Sequence, residues 1–245
     1  MNNNSYININ NISIYLNNKH IIENLSLDIK KGENIIIMGD SGSGKSLLIK
    51  GIMGLQPLSN GAIKINNSII SDNPGKNAKL FKITMLFQHG GLFDSLSVWE
   101  NIMFYQLFFD NISTLDAKNK AISLLQQVQL KEDIIDRSIC DLSGGMQRRV
   151  GIARILAMNG NLLLLDEPDA GLDAINTANI GEIILERKKN NENLTFITVT
   201  HNIKLAQIIS DRLIIMHNGK IAFDGKINEL SSSNNEYVQK MANLF

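Results

Sequence analysis

The sequence contains only one cysteine, Cys140, in 245 residues, which excludes an internal disulfide bond. We predict that Cys140 is a reduced thiol without a special role. The chain also has no surplus of charge, since 24 Lys and Arg residues balance 24 Asp and Glu residues. Because nucleic-acid-binding domains usually carry a basic excess, this balance argues against nucleic acid as a partner, although it is compatible with a local basic patch.

Long apolar runs are missing as well. A helix that crosses a bilayer needs about 20 predominantly apolar residues, whereas the longest runs here, such as IIIM and LLLL, have the length of a strand. The first residues, MNNNSYININN, lack the basic segment and apolar run of a signal peptide. With 44% hydrophobic and 20% charged residues, the composition is that of a folded globular protein with one substantial core.

The spacing of apolar residues predicts an α/β fold. Apolar and polar residues alternate in part over 5–30 and 59–70, which is typical of antiparallel strands. In the second stretch, Asn-Gly and Asn-Asn are predicted turn dipeptides. Strand-length apolar runs at 34–38, 82–88, 161–166 and 194–201 alternate with helical spacing, which predicts a mostly parallel sheet covered on both faces. A hairpin with an Asn218-Gly219 turn is predicted over 211–225.

Residues 95–160 show helical spacing and are predicted to form a lobe on this core. One predicted apolar face contains Val98, Ile102, Tyr105 and Phe109. A second predicted face contains Ala121, Leu124, Leu125 and Val128.

Residues 39–46, GDSGSGKS, fit the phosphate-binding pattern G-x-x-x-x-G-K-[ST] between a predicted strand and a predicted helix. The glycines let backbone N–H groups turn toward phosphates, and the helix N-terminus adds a favourable field. Lys45 would reach the β- and γ-phosphates, and the Ser46 hydroxyl would ligate Mg²⁺. The predicted nucleotide contacts are Gly39, Ser41, Gly42, Ser43, Gly44, Lys45, Ser46 and Leu47.

Two further stretches carry polar groups at places where they can act on a nucleotide. In LLLLDEP (162–168), Asp166 ends a buried strand, where it can meet Mg²⁺ through water, and Glu167 can orient or deprotonate the attacking water. In LSGGMQRRV (142–150), Ser143 and two glycines precede a predicted amphipathic helix, which makes a second anion site at a helix start. A second such site in one chain indicates that it serves a nucleotide held by another copy.

Taken in chain order, these stretches resemble the ATP-binding subunits of ABC transporters over nearly the whole chain. The resemblance implies an α/β fold class with a P-loop NTPase (RecA-like) core, an antiparallel β subdomain and an inserted α-helical subdomain. The implied single domain, 1–245, divides into antiparallel β at 1–33 and 59–72, a P-loop core at 34–58, 80–90 and 160–225, a helical subdomain at 91–159, and a C-terminal tail at 226–245.

The resemblance also implies roles and cofactors, namely ATP and Mg²⁺. Gln88, in MLFQHGG, resembles the glutamine that contacts Mg²⁺ and water, Glu167 resembles the catalytic carboxylate, and His201 resembles the histidine that holds the γ-phosphate. The implied Mg²⁺ ligands are Ser46, Gln88 and Asp166. Two copies would close head to tail, with each ATP between the P-loop of one copy and the signature of the other, which comprises Leu142, Ser143, Gly144, Gly145 and Met146.

Asp173 resembles the aspartate of the D-loop, in the stretch Ala170-Gly171-Leu172-Asp173. An aromatic residue near the start usually stacks on adenine in this family, and Tyr15 is the candidate, with Leu16 as a competitor. We assign no special role to His20, His89 and His217. Met146 departs from the glutamine that is usual at its position, which weakens the case for a polar side chain there.

Within the family, the chain most resembles the ATPase of Mla-type phospholipid transporters. The resemblance lies in LSGGM with the two arginines that follow it, in MLFQHGGLFDSLSVWENIMF (85–104) and in DEPDAGLDAI (166–175). This branch implies a permease and an MCE-domain lipid-binding protein as partners, with the ATPase peripheral on the cytoplasmic face of the inner membrane. Phe93, Trp99 and Phe104 either line the groove that meets the permease or pack inside the helical lobe.

Two alternatives remain within the family. The cargo could instead be a lipoprotein, an amino acid or a metal, because an ATPase subunit does not touch the cargo. The chain could also be a non-transport ABC ATPase that acts on DNA or ribosomes, but long coiled coils and tandem ATPase units, which are usual there, are missing.

Overall fold

Two β-sheets and the helices around them make up the part of the chain that the computed structural model describes, residues 5–16, 18–70, 72–88 and 90–245. The strands are β1 (Ile7–Leu16), β2 (Lys19–Ile29), β3 (Asn34–Gly39), β4 (Asn60–Ile65), β5 (Ser68–Ile69), β6 (Ile83–Leu86), β7 (Leu162–Asp166), β8 (Thr195–Val199), β9 (Arg212–His217) and β10 (Lys220–Gly225). The helices are α1 (Lys45–Met53), α2 (Pro74–Phe81), α3 (Val98–Ile102), α4 (Phe104–Phe109), α5 (Thr114–Gln127), α6 (Gly144–Ala157), α7 (Ala174–Asn190), α8 (Ile203–Ile209) and α9 (Glu236–Ala242).

The smaller sheet is antiparallel, with strand order β2-β1-β4-β5. The predicted antiparallel strands are therefore present, and Asn66 and Asn67, both with positive φ, turn the chain between β4 and β5. The predicted Asn60-Gly61 turn is wrong, because these residues begin β4. Gly61 is required there for another reason: a Cβ atom would collide with the carbonyl oxygens of Asn10 and Asn11 on β1.

The larger sheet has strand order β10-β9-β3-β8-β7-β6, and every pair is parallel except β10 with β9. Alternate residues of β3 face opposite sides: Ile35 and Ile37 pack with helix α1, whereas Ile36 and Met38 pack with α6, α7 and α8. The predicted mostly parallel sheet buried on both faces is confirmed, which explains why its strands are apolar throughout. The carboxyl ends of β3, β8, β7 and β6 consequently meet at one edge.

The helical region begins with two short helices instead of one. Helix α3 ends at Ile102 and α4 begins at Phe104, because Met103 has a non-helical backbone (φ −98°, ψ 13°). The predicted shared face over 98–109 is therefore wrong: Val98 and Ile102 are buried, but Phe109 is 67% exposed. The second predicted face is confirmed, since Ala121, Leu124, Leu125 and Val128 are all buried.

Helix α2 was not anticipated, although the sequence carries its signals. Asn73 caps the helix by accepting a hydrogen bond from the Lys76 N–H, and Pro74 occupies the first helical turn, where its missing N–H costs nothing. None of the described helices is long and apolar enough to cross a membrane. The subdomain limits given above stay a prediction.

Asn101 fixes the chain that enters the helical region. Its side chain is fully buried; the amide donates to the carbonyls of Phe93, Leu96 and Ser97, and its oxygen accepts from the Phe93 N–H at 2.8 Å. Asn101 therefore satisfies backbone groups of Phe93 and Leu96, which lie in neither a strand nor a helix.

We predict that Asn101→Ala lowers the free energy of unfolding by about 1–3 kcal/mol, because it leaves part-buried backbone groups without partners. Urea denaturation measures this. Asn234→Ala, at an exposed position, is the matched control and should change stability by less than about 0.5 kcal/mol. Equal stability of the Asn101→Ala and wild-type proteins would contradict this role of Asn101.

Candidate nucleotide site

The loop after β3 has the shape of a phosphate cradle. At Gly39 (φ +139°) a Cβ atom would collide with the carbonyl oxygen of Met216, so only glycine fits. Gly44 (φ +99°) caps helix α1, and a Cβ atom there would lie 2.8 Å from Ile22 Cγ1. At Gly42 (φ +79°) nothing lies within 4 Å, which leaves room for a ligand against the backbone.

Lys45 is the cation of this loop, and it is only 5% exposed. Its ammonium group donates to the carbonyl oxygens of Gly39 (2.9 Å) and Asp40 (2.7 Å). Burial lowers the pKa of Lys45, although the nearby carboxylates act in the opposite direction. A buried ammonium held by neutral carbonyls alone is a strong attractor for an incoming phosphate.

Other predicted loop residues differ in exposure. Ser43 is buried, and its hydroxyl has no hydrogen-bond partner within the described residues. Ser41 is exposed, and Leu47 is half-buried in the first turn of α1. An orphaned buried hydroxyl beside open space fits a site that a phosphate completes.

Ser46 and Asp166 form the candidate Mg²⁺ site. The Ser46 hydroxyl donates to Asp166 Oδ1 at 2.8 Å, which joins the start of α1 to the end of β7. Both groups are hard oxygen ligands, which Mg²⁺ prefers. Within the described ranges no group of three His, Cys, Asp or Glu side chains could hold a metal ion. The hydroxyl and the carboxylate fit Mg²⁺, which usually takes one or two protein ligands beside substrate phosphates and water.

Gln88, Glu167 and His201, which lie far apart in the sequence, come together in the structure. The Gln88 amide donates to Glu167 Oε2 at 3.0 Å, and His201 Nε2 lies 3.5 Å from Glu167 Oε1. Glu167 has a left-handed backbone (φ +50°), and its N–H donates to the Val199 carbonyl at the end of β8. This backbone conformation directs the chain away from the sheet directly after β7.

An open cavity of about 480 Å³ adjoins this group, and its lining includes Glu167, His201 and the chain from Asp169 to Leu172. A substrate or a second protein surface can therefore approach the Glu167 carboxylate.

Asp169 and Arg148 also lie beside this group, and no local pattern in the sequence indicates either residue. Asp169 is buried and accepts a hydrogen bond from the Thr200 hydroxyl at 2.8 Å, while burial raises its pKa. The Arg148 guanidinium donates to the carbonyls of Gln88 and Ala170. Arg148 thus ties helix α6 to the segments before and after the Glu167 carboxylate.

The LSGGM stretch occupies the start of α6. Ser143 caps the helix, its hydroxyl accepting from the Met146 N–H at 3.3 Å. Gly144 and Gly145 lie inside the first helical turn. The prediction that they precede the helix is wrong. Nothing lies within 4 Å of a Cβ atom at Gly144, whereas at Gly145 a Cβ atom would contact Leu172. The Met146 side chain packs against the hydrophobic core.

Asp173 caps helix α7 by accepting hydrogen bonds from the backbone and side-chain N–H groups of Asn176, which lowers its pKa. Tyr15 lies at the end of β1, 46% exposed, with its ring edge-on to His20 at 3.8 Å between centroids. His89 lies outside the described residues. His217, for which no role was predicted, contacts Asp40 of the loop after β3.

An aromatic surface lies beside the segment that follows Gln88. The centroids of the Phe93 and Phe104 rings lie 4.5 Å apart with the rings tilted by 34°, and the Phe108 ring lies 4.7 Å from that of Phe104. The Arg154 guanidinium lies 4.8 Å from the Phe93 ring centre. Phe93 and Phe108 are exposed, whereas Trp99 packs against the core of the helical region. Of the three residues predicted for the groove, Phe93 and Phe104 therefore lie in this surface, whereas Trp99 lies inside the helical region.

Comparison with known proteins agrees with these observations. The model of the ABC transporter family matches residues 22–170. The glutamate/aspartate import ATP-binding protein GltL of Escherichia coli strain K12 is 36% identical over 219 residues, which cover 89% of this chain and 90% of that protein. The phosphonates import ATP-binding protein PhnC of Lactobacillus johnsonii is 35% identical over 239 residues, which cover 93% and 92%.

Among solved structures, the dimeric ATP-binding cassette MJ0796 in a post-hydrolysis state, bound to ADP and Pi, superposes with a TM-score of 0.82. It is 29% identical in sequence, and the match covers 90% of this chain and 98% of that chain.

We predict that Asp166→Asn raises the Tm of the nucleotide-free protein by about 1–4 °C at pH 8. Burial raises the pKa of Asp166 above its usual 3.8, so the ionised carboxylate is less favourable in the folded protein than in the unfolded chain. Asparagine keeps the acceptor for Ser46 without the charge.

The gain should be fully present above the raised pKa of Asp166 and shrink as the pH falls through it. It should be absent below about 3.8, where aspartate is increasingly protonated in both states. Thermal melts of the two proteins from pH 8 downward test this, with the exposed Asp94→Asn as control. A lower Tm for Asp166→Asn at pH 8 would show that the ionised carboxylate stabilises the fold.

Proposed function

The chain belongs to the family of ABC transporter ATP-binding proteins, and from this we propose that it is the ATP-hydrolysing subunit that drives a membrane permease. The observation that carries the proposal is the meeting of Gln88, Glu167 and His201 beside the Ser46–Asp166 pair. A phosphate cradle alone is compatible with many nucleotide-binding proteins, but this set of groups supplies what hydrolysis requires.

In this proposal the loop from Gly39 to Ser46 holds the phosphates of ATP through backbone N–H groups, and Lys45 leaves its carbonyl partners to contact them. Ser46, Asp166 and Gln88 hold Mg²⁺, which when bound neutralises charge on the phosphates. Tyr15, exposed at the end of β1, provides a face for adenine.

Glu167 is the proposed general base. Its carboxylate accepts a hydrogen bond from Gln88 and faces His201, and these two neighbours orient the carboxylate. One carboxylate oxygen can then accept a proton from an attacking water. His201 is placed to hold the γ-phosphate. Arg148 holds the Gln88 and Ala170 segments on either side of this carboxylate by donating to their carbonyl oxygens.

We further propose that the start of α6 serves a nucleotide bound by a second copy. Ser143 and Gly144 lie at a helix N-terminus with open space beside Gly144, and the loop after β3 already forms a complete cradle in the same chain. The dimeric assembly of MJ0796 with ADP and Pi supports such an arrangement. Gly145, Met146 and Asp173 would lie at the same interface.

The aromatic surface of Phe93, Phe104 and Phe108 is the proposed contact with the permease. Its first residue, Phe93, lies five residues after Gln88, so a short segment connects the nucleotide site with this surface. Exposed aromatic rings beside an arginine are typical of protein interfaces. The protein would thus be peripheral on the cytoplasmic face of the inner membrane.

For the cargo we propose phospholipid, moved by an Mla-type system with an MCE-domain protein, on the basis of residues 85–104 and 166–175. Import of a small solute is the second candidate, because the relatives GltL and PhnC are named for import of glutamate/aspartate and of phosphonates. Similarity between ATPase subunits bears weakly on cargo, since these subunits do not touch it.

We predict that Glu167→Gln lowers the ATPase rate by about 10²- to 10⁴-fold, the usual contribution of a general base. Affinity for ATP, measured with a fluorescent ATP analogue, should change less than about threefold, because the phosphate cradle is intact. Glu182→Gln on the exposed face of α7 is the control. ATP turnover by Glu167→Gln at the wild-type rate would remove Glu167 from this role.

We predict that the tagged chain, purified from native membranes, brings with it a multi-span permease and an MCE-domain protein, as mass spectrometry would show. A permease with a small-solute receptor would contradict the phospholipid cargo and support import. Stable binding to DNA or ribosomes without membrane partners would contradict transport altogether.

A further inference from the structure

The C-terminal helix α9 reaches the loop that follows β3. The Tyr237 hydroxyl donates to Asp40 Oδ1 at 2.8 Å, across 197 residues of sequence. His217, at the end of β9, places Nδ1 at 2.9 Å from the other oxygen, Asp40 Oδ2. The two rings stack at 3.9 Å between centroids with an interplanar angle of 22°. Each oxygen of the Asp40 carboxylate therefore has its own donor from the C-terminal part of the chain.

The protonation state follows from the contacts. The hydrogen bonds from Tyr237 and His217 lower the pKa of Asp40, so the carboxylate is ionised and accepts. The His217 Nδ1–H donates to this carboxylate, and Nε2 lies 3.0 Å from the Asn218 side-chain amide nitrogen. Both histidine nitrogens and both carboxylate oxygens are satisfied in one arrangement.

Asp40 is directly connected to the proposed phosphate-binding lysine. Its carbonyl oxygen accepts from Lys45 at 2.7 Å and from the Ser43 N–H at 3.2 Å. The side chain of Asp40 thus anchors the peptide that determines where the Lys45 ammonium rests. A freely rotating carboxylate at this position would also bring negative charge near the phosphates of a bound nucleotide.

We propose that Tyr237 and His217 are positioning residues for nucleotide binding, which hold the Asp40 carboxylate in place and thereby preset the loop and Lys45 for the phosphates. The proposal rests on the proposed function of the loop as the phosphate site. It assigns the tail a role within its own chain, where the sequence had left the tail's role open.

The tail is anchored independently of the Tyr237 hydroxyl. Asn235 caps α9 through the N–H groups of Tyr237 and Val238, the Val238 side chain is fully buried, and the Phe245 carbonyl accepts from Gln207 at 2.9 Å. Tyr237→Phe therefore removes one hydrogen bond to Asp40 and preserves the ring stack and the docking of the helix.

The test is the steady-state kinetics of ATP hydrolysis by the full-length chain, together with the dissociation constant of a fluorescent ATP analogue. Tyr237→Phe should raise the KM for ATP and the analogue's dissociation constant by about 3- to 10-fold, with kcat within twofold of wild type. Tyr105→Phe, which removes a hydroxyl from α4, is the matched control and should change neither.

A double-mutant comparison shows whether the effect passes through Asp40. In an Asp40→Asn background, the further change Tyr237→Phe should raise KM by less than about twofold, because the charged partner is already gone. An unchanged KM in Tyr237→Phe would overturn the proposal. The same increase in both backgrounds would also overturn it, since Tyr237 would then act through docking of the tail.

A further variant distinguishes failure of this positioning role from failure of the loop as the phosphate site. Lys45→Ala should abolish binding of the analogue if the loop is the phosphate site. Loss of binding in Lys45→Ala without any effect of Tyr237→Phe would reject only the positioning role, whereas retained binding in Lys45→Ala would reject the phosphate site.

Discussion

Parallel pairing of β3, β8, β7 and β6 is the constraint on which the site depends. Because parallel strands all end at the same edge, the phosphate loop after β3, Gln88 after β6, Glu167 after β7 and the histidine after β8 must meet there. The Ser46–Asp166 hydrogen bond then fixes the distance between the first and third of these segments. The strands are buried on both faces, and the loops that follow them carry the proposed catalytic groups.

Hydrogen bonds also connect the helical region with the segments that follow the strands. Arg148 on α6 contacts the carbonyls of Gln88 and Ala170, and Asn101 fixes the chain just beyond Gln88. A change at the Glu167 carboxylate can therefore reach the aromatic surface through a few hydrogen bonds and one short segment. In the proposed function, residues 88–108 connect the site of hydrolysis with the surface that contacts the permease.

Much of this could be predicted from the sequence, because its signals are local. The glycines, Lys45 and Ser46 lie within eight residues, and Asp166 ends a short apolar run that is typical of a buried strand. Arg148, Asp169 and the contacts of Asp40 with His217 and Tyr237 could not be predicted, because their partners are far away in sequence. The break at Met103 was missed for a different reason: helical spacing continues across it, and only the backbone there departs from the helix.

The central claim is that each chain is half of two nucleotide sites. Sedimentation velocity of the Glu167→Gln chain, with saturating ATP and Mg²⁺ and then with ADP, tests it most directly. We expect a dimer with ATP and a monomer with ADP, and a monomer in both conditions once Ser143→Arg is added to the same chain. A chain that stays monomeric while saturated with ATP, or that dimerises regardless of Ser143→Arg, would contradict it.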